Sequence, residues 1–86
     1  MEARPGLEIS PNPAQNDLYL HLENSHTPIE SIEILDAAGR NCSQFMDWKT
    51  TDYGTGQLYI QRLPAGWYCV RVRCSDRVLV GRFVKE

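Results

Sequence analysis

The 86-residue sequence lacks the features of a membrane protein and of a chain that carries its own export leader. A membrane helix needs about 20 consecutive apolar residues. The longest apolar run near the C-terminus is V-L-V at residues 78–80. Residues 1–6 contain no apolar segment of the kind that a signal peptide requires. If this domain acts outside the cytoplasm, we expect that an upstream segment carried it there.

Cysteine is scarce, with Cys42, Cys69 and Cys74 as the only three. An odd and small number does not form the disulfide framework of small secreted domains. Cys69 and Cys74 are expected on one strand, about 16 Å apart at ~3.3 Å per residue, whereas a disulfide needs Cα atoms about 5.5 Å apart. A bridge between Cys42 and Cys74 across strands stays open, but small buried apolar side chains are the preferred interpretation.

Residues that carry catalysis or bind metals are equally sparse. His21 and His26 are the only histidines, and no cluster of His, Cys and acidic residues has metal-ligand spacing. The serines lack a nucleophile elbow, and no glycine-rich phosphate loop leads into a helix. We therefore expect no catalytic residue, no metal and no cofactor, and we predict that the chain is not an enzyme.

The charge balance argues against nucleic acid as a partner. The formal net charge is −2, whereas binding to phosphates needs a basic surface. The charges are unevenly placed, because residues 1–43 hold seven acidic and two basic side chains, whereas residues 44–86 hold four acidic and seven basic ones. The basic half could meet an acidic partner, but solvated strand faces are the preferred interpretation.

What the sequence does contain is a succession of short segments in which apolar and polar residues alternate. This period of two is typical of half-buried strands, and no helical period extends beyond a turn. A loop is expected over residues 47–56, where glycines lie at positions 54 and 56. The expected strands cover residues 7–9, 18–22, 32–35, 40–45, 58–60, 68–73 and 78–84.

Two tetrapeptides predict tight turns between these strands. The first has Asp36 at its first position and Gly39 at its fourth, and the second has Pro64 at its second position and Gly66 at its fourth. Six or seven short strands with frequent turns predict an all-β antiparallel sandwich. Thirteen side chains are expected in its core: Leu18, Leu20, Leu22, Ile32, Ile34, Leu58, Ile60, Leu63, Tyr68, Val70, Val72, Leu79 and Phe83.

Four stretches together resemble a known family. They are P-N-P-A at residues 11–14, I-E-I-L-D-A-A-G-R at 32–40, L-P-A-G-W-Y-C-V-R-V at 63–72 and R-F-V-K at 82–85. Each stretch is weakly specific alone, but their order, their spacing and their position near the C-terminus match the C-terminal sorting domain of the type IX secretion system. The resemblance covers residues 9–86, and such domains occur on secreted proteins of one large group of Gram-negative bacteria.

The resemblance implies a seven-stranded antiparallel immunoglobulin-like β-sandwich that is not an enzyme and needs no cofactor. It implies that residues 7–86 form the sorting domain and that residues 1–6 are a linker or an addition from cloning. Such a tag directs a larger cargo domain of the same precursor from the periplasm through an outer-membrane translocon. A sortase-like peptidase then typically removes the tag and leaves the cargo at the cell surface.

Carried over position by position, the family motifs give a set of expected recognition residues. They comprise Asp36, Gly39, Arg40, Leu63, Pro64, Gly66, Tyr68, Val70, Val72, Arg82 and Lys85. We expect the first turn, the second turn with its strand, and the basic C-terminal segment to act together. Arg82 and Lys85 in particular are expected to offer charge that the fold does not need.

Two other functions stay open. A stand-alone sandwich could bind a carbohydrate or an adhesion partner, with Trp48, Tyr53, Tyr59 and Trp67 as a stacking platform, although structural roles for these aromatics are preferred. A structural linker domain is the third alternative. We also predict a tyrosine corner at Tyr68, and homodimerisation through the final strand, whose apolar residues occur on both faces.

Overall fold

The computed structural model describes residues 6–23, 27–75 and 77–86. The expected linker at residues 1–6 lies outside this part of the chain except for Gly6. The connection between the expected strands over residues 68–73 and 78–84 is described except at residue 76, and His26 is not described. Along the described ranges, no helix is long and apolar enough to cross a membrane.

Seven strands form two antiparallel sheets that pack face to face. The four-stranded sheet has the order β1-β2-β5-β4, and the three-stranded sheet has the order β3-β6-β7. The all-β, seven-stranded, immunoglobulin-like sandwich is therefore confirmed. The strands are β1 (Leu7–Ser10), β2 (Asp17–Leu22), β3 (Ile29–Asp36), β4 (Asp47–Asp52), β5 (Thr55–Tyr59), β6 (Gly66–Cys74) and β7 (Val78–Lys85).

The expected core is confirmed, since all thirteen side chains are buried between the sheets. Each such side chain stabilises the fold by ~1.5–3 kcal/mol relative to an exposed one. The core could be predicted because buried and exposed residues alternate along strands such as β2 and β6, where every second side chain points inward. Beyond these thirteen, the core contains Ala14, Ile29, Met46 and Cys74, of which only Cys74 was expected to be buried.

The prediction of a strand over residues 40–45 is wrong. Instead, a 3-10 turn covers Ser43–Phe45, and only a single bridge joins Leu35 to Asn41. The Ile34 N–H donates to Ser43 Oγ at 3.0 Å, so a side-chain oxygen replaces the carbonyl that a continuing strand would supply. Hydrogen bonding by the serine side chain therefore competes with the strand ladder at this point.

The prediction of a loop over residues 47–56 is also wrong, because β4 and the start of β5 form a hairpin there. Gly56 lies in β5 at a buried position, where an added Cβ would be 3.6 Å from Ile32 Cδ1 and 3.7 Å from Ile29 Cδ1. A glycine that suggested a loop is thus a strand residue over which two core side chains pack closely.

The segment that contains the two early prolines connects β1 to β2 of the four-stranded sheet and contacts β7 of the other sheet. The Ala14 N–H donates to the Val84 carbonyl at 2.8 Å, and the Glu86 N–H donates to the Ala14 carbonyl at 2.8 Å. The Val84 N–H in turn donates to Asn12 Oδ1 at 3.0 Å. These bonds cover the outer edge of β7 near its C-terminal end.

Candidate recognition site

The turns that carry the family motifs lie at one end of the sandwich. Asp36 ends β3 directly opposite Tyr68 of β6, and Tyr68 is opposite Phe83 of β7. We call residues 36–40, 64–68 and 82 the motif end. Two open grooves lie here, with volumes of about 530 Å³ and 340 Å³, and Asp36, Ala37, Trp67 and Tyr68 border both of them. Motifs that are 30 residues apart in sequence thus form one surface.

The first turn of the motif end is fixed by the carboxylate of Asp36. Its Oδ1 accepts hydrogen bonds from the N–H groups of Ala38 and Arg40, each at 2.9 Å, and its Oδ2 pairs with Arg40 Nε at 3.0 Å. The N–H of Arg40 contributes most to lowering the pKa of Asp36 from its usual 3.8. Gly39 has a φ of +85°, which explains why glycine stands there.

The salt bridge to Asp36 does not remove the Arg40 side chain from solvent, since 82% of it is exposed. A surface pair of this kind contributes little to stability. The guanidinium therefore lies beside the groove with most of its surface accessible to a partner.

The second turn is held by a tyrosine corner, as predicted. The Tyr68 hydroxyl donates to the Pro64 carbonyl at 2.6 Å, and its ring stacks on Phe83 with 5.5 Å between the centroids. Burial is the main cause of the raised pKa of Tyr68, which keeps the hydroxyl a donor. Gly66 begins β6 with a φ of +153°, a region that other residues rarely adopt.

Besides Tyr68, three of the expected recognition residues lie in the core, where the sequence pattern also predicted them. Val70 and Val72 are completely buried and pair with Ile34 and Ile32 across the β3–β6 ladder. Leu63 is 2% exposed, and its N–H donates to the Ile60 carbonyl. These side chains pack in the core and support the motif end, and no partner can reach them while the domain is folded.

The two basic residues near the C-terminus differ in position. Arg82 is exposed and borders the smaller groove. Lys85 is only 9% exposed, and its Nζ donates to the Glu86 carbonyl. The expectation that the fold leaves the charge of Lys85 free is wrong, because Lys85 occupies an inward-facing position of β7 beside the Ala14 bridge.

Sequence reasoning did not place Trp67 and Phe45 in the recognition site, although both border the larger groove. Trp67 is 62% exposed and Phe45 is 44% exposed. The alternation of β6 could have identified Trp67, since Tyr68 points inward and its neighbour must point outward. Nothing in the sequence pattern identifies Phe45, whose exposure depends on the 3-10 turn.

The four aromatic residues do not form one stacking platform. Trp48 packs against the core, Tyr59 lies on the outer face of the four-stranded sheet, and Trp67 lies on the three-stranded sheet. The three cysteines form no disulfide among the described residues. Within the described residues, no group of three or more His, Cys, Asp and Glu side chains could hold a metal ion.

The fold is an immunoglobulin-like sandwich, and structured turns present accessible side chains at its motif end. The family model described as "Secretion system C-terminal sorting domain" matches residues 8–86. The chain therefore belongs to this family and is a C-terminal sorting signal for type IX secretion. It belongs to a cargo precursor handled by that system, and the secreted protein reaches the cell surface or the exterior.

A comparison with solved structures finds a similar fold in the protein CopC. The crystal structure of CopC from Methylosinus trichosporium OB3b superposes with a TM-score of 0.50 and 21% sequence identity. The match covers 98% of this chain and 82% of that one. At this identity the likeness shows a shared fold alone. No curated protein sequence matches the chain.

Proposed function

We propose that the type IX machinery recognises this chain as a folded domain and contacts it at the motif end. The supporting observation is that the two motif turns and Arg82 border adjoining grooves in a chain that matches the sorting family. Asp36, Gly66 and Tyr68 build that surface, whereas Arg40, Trp67 and Arg82 expose side chains on it. The first group maintains the shape and the second group makes the contacts.

The route we propose has the precursor enter the periplasm, where the sandwich folds before it meets the outer-membrane translocon. A sortase-like peptidase then separates the tag from the upstream cargo. The domain itself contributes binding and no chemistry, and it requires no metal or cofactor. This role demands an accessible and rigid surface, which the two hydrogen-bonded turns supply.

The adhesion module is the less favoured alternative. Membership of the sorting family supports export instead of ligand binding. The separation of Trp48, Tyr59 and Trp67 onto different surfaces also gives a sugar no shared stacking platform.

We also propose homodimerisation through β7. This strand lies at the edge of its sheet, and Val78 and Val80 are 45% and 51% exposed. Within residues 6–23, 27–75 and 77–86, the bonds to Ala14 cover this edge near Val84. The remaining part can accept a second strand, as exposed edges commonly do.

The experiment for the sorting role transfers the tag to a foreign protein. Residues 7–86 are fused to an inert reporter that carries a signal peptide, and the fusion is expressed in a bacterium with the type IX system. We expect the reporter outside the cell in that strain and in the periplasm of a strain without the translocon. The untagged reporter is the control and should stay in the periplasm of both strains. Retention of an intact, folded fusion in the periplasm of the first strain would contradict the proposal.

A further inference from the structure

The outer face of the three-stranded sheet combines exposed arginines with exposed apolar side chains. In β6 the odd-numbered residues from Trp67 to Arg73 point away from the core, and in β7 the even-numbered residues from Val78 to Val84 do so. The β6–β7 register places Arg73 opposite Val78 and Arg71 opposite Val80. We call this surface the arginine face, which consists of Trp67, Cys69, Arg71, Arg73, Val78, Val80 and Arg82.

The positive charge of this face is only partly neutralised. Arg71 pairs with Glu33 of β3, with 2.8 Å between Nε and Oε1. Arg73 and Arg82 are exposed, and no acidic side chain pairs with either of them among residues 6–23, 27–75 and 77–86. The face therefore carries two guanidinium groups that are available to an external anion.

The opposite surface of the sandwich has the reverse charge. The outer face of the four-stranded sheet carries the carboxylates of Glu8, Asp17 and Asp47. Lys49 of β4 adds one positive charge to the same face. The charge difference between the two outer faces rests on β6 and β7, because β3 of the three-stranded sheet itself carries Glu30 and Glu33.

The apolar part of the arginine face has no role in the core. Trp67, Val80 and Val78 are 62%, 51% and 45% exposed. Tryptophan and arginine are the residue types most enriched among those that dominate protein–protein binding energy. Exposed valines beside them supply surface from which a partner can exclude water.

We propose that the arginine face docks an acidic surface of a partner protein in the type IX machinery, and this inference rests on the sorting function proposed above. The partner presents carboxylates to Arg73 and Arg82 around an apolar centre that covers Trp67 and Val80. The same face of a second copy does not fit, because a two-fold axis would bring together two copies of the same positively charged face. Trp67 and Arg82 also border the groove of the motif end, so that the two surfaces are continuous.

The test uses the reporter fused to residues 7–86 and measures the exported fraction. The double substitution Arg73→Glu and Arg82→Glu should lower export by about tenfold or more, since like charges then face the acidic partner. The pair Arg73→Lys and Arg82→Lys keeps the charge and should retain most of the export. Lys49→Glu is the matched control on the opposite face and should export as the unaltered fusion does.

Each outcome has a separate meaning. Equal melting temperatures for the purified variants establish that a loss of export is not unfolding. If the unaltered fusion stays in the periplasm, the sorting proposal itself fails. If it is exported and the glutamate variant is exported equally well, the inference about the arginine face is overturned.

A lipid and a second copy of the domain are the alternative partners of the arginine face, and each is tested by a separate binding measurement. Binding of the purified domain to lipopolysaccharide micelles that the glutamate variant loses would identify a lipid partner and overturn the protein partner. Sedimentation that shows growing chains of the domain, abolished by the same substitutions, would identify the acidic face of a second copy and overturn it too. The inference expects neither result.

Discussion

Tyr68 joins the fold to the motif end through one hydroxyl group. Replacement of Tyr68 by Phe removes the bond to Pro64 and leaves the ring on Phe83, so we expect a loss of about 1 kcal/mol in the free energy of unfolding. Urea denaturation measures this loss. Tyr59→Phe changes an exposed ring on the other sheet and serves as the control. Equal stability of the Tyr68→Phe variant and the unaltered domain would contradict the role of the tyrosine corner.

Asp36 gives the first turn a dependence on pH. Its folded-state pKa lies below the usual 3.8, so its contribution to stability is present above that value and is lost as the pH falls through the lower folded-state pKa. When the pH is lowered from about 6 to about 2, we expect the Asp36→Asn variant to lose less stability than the unaltered domain does. Denaturation curves over this range compare the two proteins, and identical pH profiles would contradict the assignment.

Among the site residues, the sequence allowed the turn residues to be predicted but not the exposure of every charge. Asp36, Gly39, Pro64 and Gly66 are identifiable because a tight turn demands particular residue types. The inward direction of Lys85 follows from Leu79 and Phe83 at alternate positions of β7, but its bridge to Ala14, which lies 71 positions earlier in the chain, could not be predicted. A contact of this kind leaves no local pattern.

At the scale of the elements, β1 and β7 come from different sheets and pack closely at Gly81. A Cβ added to Gly81 would overlap Ile9 Cδ1 and lie 3.2 Å from Leu7 Cδ2. We expect Gly81→Ala to cost about 1 kcal/mol of stability, because the ends of the Ile9 and Leu7 side chains must rotate away from the added Cβ. Thermal or urea denaturation gives the value.

A double-mutant cycle tests whether Ile9 is the cause. Ile9→Val removes the Cδ1 atom, so Gly81→Ala should cost clearly less in that background than in the unaltered domain. An equal cost in both backgrounds would contradict the close packing of the Ile9 side chain on Gly81.

The strands that could be predicted are those with an apolar residue at every second position. In β2, Leu18, Leu20 and Leu22 make the inward face plain, whereas β4 is an edge strand with Trp48 as its partly buried aromatic. Its remaining residues are polar, because one side of an edge strand has no neighbour to cover it. Periodicity alone could not separate such a strand from a loop.

For the whole molecule, association through β7 predicts a dimer whose population rises with concentration. Sedimentation velocity over a wide concentration range should show it. The bonds of Val84 to residues 12 and 14 show that even-numbered residues of β7 direct their backbone groups to the outer edge. Val80→Pro removes an outward N–H and should abolish the dimer while the β6–β7 ladder remains. A monomer at every concentration would contradict the association.

In the molecule as a whole, the residues that hold the motif end in place differ from those that a partner would contact. Buried residues such as Val70 and Val72 position the motif end, and accessible residues such as Trp67 and Arg40 present it. Loss of a supporting residue should therefore lower stability and export together. Loss of a contacting residue should lower export alone, and this difference separates recognition of a folded surface from recognition of an extended peptide.

Trp67 offers the most direct measurement, because it is the most exposed large apolar side chain of the motif end and borders both grooves. The exported fraction of the reporter fusion should fall about tenfold for Trp67→Ala, as expected when a central aromatic contact is lost. Tyr59→Ala, which truncates an exposed aromatic on the other sheet, should leave export unchanged, and both variants should melt close to the unaltered domain. Export of the Trp67→Ala fusion at the unaltered level would contradict recognition through the motif end.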